Sequence, residues 1–162
     1  MKAGPSEAPL TSAIRLATQA TWQLEQGKLA DAVRSADSAH RVLPWVSQVP
    51  PVWWEVLTGP IEVYLAGWQA ARDGHGGDES RLARVARRRI RALRQWSRIY
   101  PVARPMSDYF NGRLELLAGR DDSASRLFRR ARDAARSRGI AHYERLSAEA
   151  LARCRPLQTK PI

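Results

Sequence analysis

The sequence predicts an all-α protein of helix pairs in tandem, and three observations predict it. Ala20 and Gly27, Gly67 and Gly74, and Gly112 and Gly119 form three small-residue pairs, each seven positions apart and each late in an apolar-periodic segment. Seven residues are close to two helical turns, so both members of a pair share a face, where a residue without bulk lets a neighbouring helix approach. Apolar residues also recur at three- and four-residue spacing through most of the chain, and no stretch alternates in the period of two that a strand needs.

In chain order, residues 1–10 read as a flexible tail. A first helix carries Ala20 and stops at Gly27, since glycine freely enters the left-handed conformation that ends a helix. The run LADAVRSADSAHRVLP then places Ala32, Ala36 and Ala39 on one face before Pro44 forbids further helix. In PWVSQVPPVWWEVLTGP, Pro44, Pro50, Pro51 and Pro60 restrict helix while Trp45, Trp53 and Trp54 supply large apolar bodies; a short helix over 52–57 either stands alone or extends the next one. The Gly67–Gly74 helix leads through a turn-like HisGlyGlyAspGluSer into a long helix over 81–99, with Leu82, Val85, Ala86, Ile90 and Leu93 on one stripe, ended by Pro101. The Gly112–Gly119 helix is followed by RDDSASRLFRRARDAARSRG, with Ala124, Phe128 and Ala131 on one face and Gly139 as the closing cap. A last helix over 140–154, with Tyr143, Leu146, Ala150 and Leu151 inward, caps the stack, and residues 156–162 form a second flexible tail.

This spacing resembles the tetratricopeptide repeat, a helix pair of about 34 residues. A unit begun at Ala13 sets Ala20, Gly27, Ala32, Ala39 and Pro44 on that repeat's small-residue and proline positions. One begun at Pro105 does the same with Gly112, Gly119, Ala124 and Ala131, puts Phe128 on its aromatic position, and has Arg136 where the proline belongs. A middle unit from Pro60 keeps Gly67 and Gly74 and then departs through an insertion. Residues 100–150 further resemble the C-terminal helical region of large bacterial signalling proteins that join nucleotide cyclase or regulatory ATPase domains to a repeat array; Arg104 with Pro105, Gly112 with Gly119, Ala124 with Ala131, and Tyr143 with Glu144 carry that likeness. The resemblance implies one domain over 11–155, with units at about 13–46, 60–101 and 105–138 and a cap over 140–154, wound as a right-handed α-solenoid. It also implies a concave groove lined by the first helix of each pair, at Thr21 and Leu24, Tyr64 and Trp68, and Tyr109 and Arg113. Neither a nucleotide-binding loop nor cyclase residues are present, so no activity comes with it.

At 162 residues with 44% apolar content the chain suits a single core, and Arg, Gln, Glu or Pro interrupts every apolar stretch before the roughly 20 residues of a membrane span. The N-terminus lacks the apolar core of a signal peptide, which leaves a cytoplasmic protein or a piece of one. The one cysteine, Cys154, has no Cys neighbour for a disulfide or a zinc site. Net charge is +11, and of 27 basic residues all but Lys2, Lys28 and Lys160 are arginine. GC-rich coding bias explains such a balance with no ligand, and a phosphate-binding face explains it equally.

Nothing in the sequence assembles a catalytic constellation. Phosphate-loop, dinucleotide and zinc-protease signatures are missing, and His40, His75 and His142 lie in three separate elements. Cys154 and His142 fall on one helix with no acid to orient them. Asp121 with Asp122, and Asp78 with Glu79, read as helix starts that cap free N–H groups and complement the dipole. No cofactor or metal site is expected. The arginine-rich helix competes for a role: Arg81, Arg84, Arg88 and Arg91 follow one side with Arg87, Arg94 and Arg98 beside them, and Trp96 is its sole candidate for base stacking. The expected function is a non-catalytic interaction or regulatory scaffold that takes a peptide, an acidic partner, a neighbouring domain of the same parent protein or a second copy. The alternative is a nucleic-acid-associated protein using Arg84, Arg87, Arg88, Arg91 and Arg94.

Overall fold

The computed structural model describes residues 9–42 and 54–154. Trp45, Trp53 and the prolines at 44, 50 and 51 lie outside the described residues, as do most of both expected tails. Seven α-helices make up the described chain: α1 (Pro9–Glu25), α2 (Leu29–Val42), α3 (Trp54–Arg72), α4 (Glu79–Ile99), α5 (Arg104–Leu117), α6 (Asp121–Arg136) and α7 (Ala141–Arg153), with a 3₁₀ turn at Pro101–Ala103. The described residues contain no strand, and none of their helices is long and apolar enough to cross a membrane. The chain divides into two compact units, residues 1–89 and 90–162, and the division falls inside α4 and not at a boundary of the expected repeat units.

Glycine stops act as their spacing suggests. Gly27 sits at φ 72° and Gly119 at φ 73°, a region that a Cβ makes costly. At each, the glycine N–H reaches the carbonyl three residues back and the next N–H reaches five back: Gly27 to Leu24 and Lys28 to Gln23, both at 2.9 Å, then Gly119 to Leu116 at 3.0 Å and Arg120 to Glu115 at 2.9 Å. These are the paired bonds that satisfy the last helical carbonyls.

In the first unit α1 packs on α2 and α3, and α2 packs on α3. Its floor is alanine: Ala13, Ala17 and Ala20 face Ala32, Ala36 and Ala39, all buried, so the helices approach closely and the large bodies of Ile61, Tyr64, Leu65 and Trp68 on α3 supply the volume. Pro60 does not stop α3, contrary to the expectation from its ring; the helix runs through it and absorbs the 52–57 segment from Trp54 onward. Thr58 Oγ1 donates to the Trp54 carbonyl at 3.3 Å, and Gly59 meets α1 so closely that a Cβ there would lie 2.6 Å from Thr21 Oγ1. Burial of Thr58, Gly59, Pro60 and Ile61 in this contact outweighs the lost amide bond.

In the second unit α5 packs on α6 and α7, and α6 packs on α7. Met106, Phe110, Ala124, Phe128, Ala131 and Ala135 are fully buried, and Tyr109 meets Phe110, Tyr143 and Phe128 at ring-centroid distances of 5.2, 5.8 and 5.9 Å. Gly112 lies so tightly on Phe128 that a Cβ would fall 2.6 Å from its Cε1. On α7 the inward positions are Tyr143 and Ser147, while Leu146, Ala150 and Leu151 are only half-buried. Cys154, just past α7, is 6% exposed.

Candidate functional site

Two of the six groove candidates meet around one concavity. Tyr109 and Arg113, one turn apart on α5, line a pocket of about 290 Å³ whose other walls are Leu116, Phe128 of α6, and Leu146, Glu149 and Ala150 of α7, closed by Arg153. The floor is apolar and the rim charged. Arg113 holds its guanidinium 5.9 Å from the Tyr109 ring centroid, Glu149 accepts from Arg145 at 2.7 Å, and the lining sets two arginines, Arg113 and Arg153, against the one carboxylate of Glu149, a formal excess of positive charge. Tyr109 itself is buried and makes T-shaped contacts with Phe110 and Tyr143. Ligand pockets begin at about 300 Å³. This one, at about 290 Å³, lies at the small end of that range.

The other four candidates are packed into the first unit. Tyr64 is fully buried and donates through its hydroxyl to Asp37 Oδ1 at 2.7 Å; Arg81 Nη1 donates to Asp37 Oδ2 at 3.1 Å. Burial, and then the bond to Asp37, raise the Tyr64 pKa above the ordinary phenol value. Trp68 is 3% exposed, its Nε1 donating to Glu79 Oε1 at 3.2 Å and its ring facing the Arg87 guanidinium at 5.1 Å. Thr21 is half-buried and donates to the Ala17 carbonyl at 3.2 Å where α1 meets Gly59, and Leu24 is half-buried beside it. With alanine filling α1 and α2, these larger residues are what the core has to fill space. On α1 the large exposed residue is Trp22, 53% exposed with the Lys28 ammonium 5.6 Å from its ring. Its only sequence signal is that it falls off the stripe of Ala13, Ala17 and Ala20.

A second concavity, of about 400 Å³, opens in this unit over Leu29, Val33, Gly67 and Leu82, with Asp37, His75 and Arg81 at its edge. Its charges are already committed: Asp37 to Arg81, Arg34 to Asp31, and Asp78 to the Arg81 N–H at 2.8 Å, the cap expected at the start of α4. Asp121 and Asp122 do occupy the first turn of α6, but the cap position is Arg120 and no side chain caps it, so the dipole is what they serve. Asp37 was not legible as a partner in the sequence, nor was Arg89. Burial, then repulsion from Arg89 and Arg88, lowers the His40 pKa, and burial lowers that of Arg89; His40 Nδ1 and Arg89 Nε are buried without hydrogen-bond partners among the described residues.

The arginine helix divides by face. Leu82, Ala83, Ala86, Ile90, Leu93 and Trp96 are buried, whereas Arg84, Arg87, Arg88, Arg91, Arg94 and Arg98 are all exposed. Arg81 leaves the expected stripe because Asp37 draws it inward. Trp96 is 2% exposed and packed on Tyr100 at 4.9 Å, so it offers no stacking platform. Arg84–Arg88, Arg87–Arg91 and Arg94–Arg98 are i,i+4 pairs, and Arg84–Arg87, Arg88–Arg91 and Arg91–Arg94 are i,i+3 pairs. At about 0.2–0.5 kcal/mol of repulsion each, they cost α4 roughly 1–3 kcal/mol at low salt.

In the second unit Arg94 and Arg130 approach a common carboxylate. Arg130 Nη2 lies 3.4 Å from Asp108 Oδ2, and burial raises the Asp108 pKa against the pull of Arg130, Arg94 and Arg104. Three arginines thus gather about one half-buried acid that the sequence did not single out. Comparison with family models, with curated proteins and with solved structures finds no match to the chain.

Proposed function

We propose that this chain is a non-catalytic protein-interaction or regulatory scaffold, built as tandem antiparallel helix hairpins of tetratricopeptide-like form in a right-handed superhelix with α7 as its cap. The helix adjacencies support this form: α1 lies against both α2 and α3, and α5 against both α6 and α7, as in stacked hairpins. The observation that carries the function is the pocket at Tyr109 and Arg113, an apolar socket of about 290 Å³ under a positive rim. It takes one apolar anchor of a peptide or of a neighbouring domain, with an acidic group beside the anchor for Arg113 and Arg153. A shallow site with one anchor gives modest affinity, which suits a regulatory contact.

Selection of displayed peptides on the full chain, counter-selected on Ala150→Trp, tests it. Ala150 is half-buried on the pocket wall, so the larger ring fills the socket from its edge. Peptides sharing an apolar residue next to Asp or Glu should be enriched on the wild type and lost on both Ala150→Trp and Arg113→Glu. Equal recovery on the wild type and the filled variant would sink the assignment.

A further inference from the structure

Along α4 the exposed arginines Arg84, Arg87, Arg91, Arg94 and Arg98 alternate steps of three and four residues. That is a mean period of about 3.5, and a row with this period stays nearly parallel to the helix axis, drifting only about 20° per heptad. At about 1.5 Å rise per residue it extends about 21 Å. Beyond Glu79 in the first turn the helix carries no acid; Arg87 lies over the Trp68 ring, Arg94 acts on Asp108 of α5 together with Arg130 and Arg104, and no ion pair is made by Arg84, Arg91 or Arg98 among the described residues. The row therefore repels itself, and Asp108, the acid near Arg94, is shared with Arg130 and Arg104.

We propose that this row docks an acidic amphipathic helix of a protein partner, whose carboxylates repeat at the same alternating interval. A second helix lying alongside presents acids every 3.5 residues, about 5 Å apart along its axis, in step with the guanidinium groups. An arginine fork donates two parallel bonds to a carboxylate, which gives register as well as attraction. A nucleic-acid strand is the weaker match, because the one aromatic of α4, Trp96, is buried against Tyr100 and leaves no ring on this face for a base. The inference rests on reading the chain as an interaction module but not on its pocket, whose lining shares no residue with the row.

The probe is a labelled helical peptide of about 20 residues with glutamate at alternating three- and four-residue spacing, compared by fluorescence anisotropy with a scrambled isomer and with single- and double-stranded oligonucleotides. At about 0.1 M salt the patterned peptide should bind the full chain about tenfold more tightly than its isomer. Combined Arg84→Gln, Arg91→Gln and Arg98→Gln should abolish that difference, and Arg113→Glu should leave it intact. Equal binding of the two isomers, tighter binding of either oligonucleotide, survival in the triple variant or loss in Arg113→Glu each overturns the proposal. Failure of the socket in peptide selection leaves this outcome untouched, so the two readings fail separately.

Discussion

Gly112→Ala opposes two effects of known size. In mid-helix alanine is more favourable than glycine by about 1 kcal/mol, so an unhindered substitution would stabilise α5. At Gly112, however, the new Cβ would lie 2.6 Å from Cε1 and 2.7 Å from Cδ1 of Phe128, against an ordinary carbon separation of about 3.5–4.0 Å. Phe128 is fully buried, its ring 5.9 Å from that of Tyr109, so it cannot swing toward solvent. Overpacking costs about 1–3 kcal/mol. With a rigid aromatic as the neighbour the upper end applies, and the net loss is about 2 kcal/mol. Gly67 is the internal control, since its Cβ would meet Leu82 at 3.4 Å and Val33 at 3.5 Å, ordinary contact distances. Gly67→Ala should therefore keep most of the propensity gain. Thermal melts followed by circular dichroism compare them: at about 4–8 °C per kcal/mol for a body of under 100 residues, Gly112→Ala lowers its transition by on the order of 10 °C. Gly67→Ala leaves its own unchanged or higher. Adding Phe128→Leu should cost less in the Gly112→Ala background than alone. A Gly112→Ala protein melting at or above the wild type, or equal losses at the two glycines, would refute the close approach.

Tyr64→Phe removes a bond to a carboxylate and should cost about 1.5–3 kcal/mol, read as a lower urea midpoint with unchanged slope. Because the folded Tyr64 holds its proton above the ordinary value of about 10, the unfolded chain deprotonates first, so wild-type stability falls as pH rises past about 10. Tyr64→Phe should lack that part of the fall; identical alkaline profiles would count against the Tyr64–Asp37 bond. Asp108 is also raised, so its contribution is present below the unfolded carboxylate value of about 4 and is lost as pH rises through the folded one. Asp108→Asn should flatten that decline in urea midpoints taken from acid to neutral pH, and an unaltered slope would refute it. Arg88→Gln with Arg91→Gln should raise the melting temperature at low salt and lose the advantage at about 1 M, where screening has erased the repulsion.

Period and punctuation carried the helical class. Each of Gly27, Gly74, Gly119 and Gly139 follows a helix end at positive φ, and the alanine stripes of α1 and α2 are buried. The sequence was silent where a local rule met a tertiary contact. Pro60 reads as a breaker, yet the Gly59–Thr21 approach holds α3 intact around it. Gly67 and Gly112 each stand seven residues before a helix-ending glycine, yet of the two only Gly112 has an aromatic ring against it. The groove candidates were chosen by residue type, which carries no direction: Tyr109 and Arg113 line a pocket, while Tyr64 and Trp68 turn to Asp37 and Glu79, partners 27 and 11 residues away that no period links to them. The arginine stripe was visible except for Arg81, which left it for Asp37.

Cys154 gives the chain its own clock. It is the sole cysteine in the sequence, its thiol is shielded at the end of α7, and its N–H still reaches the Ala150 and Leu151 carbonyls at 3.2 Å. A buried thiol reacts with a reagent through opening of its surroundings, so the ratio of its labelling rate to that of an unstructured thiol gives the opening constant at the end of α7. Measured against denaturant, that constant tells whether α7 frays by itself or releases only when α5 and α6 do. It would do so without a mutation and without a partner in hand.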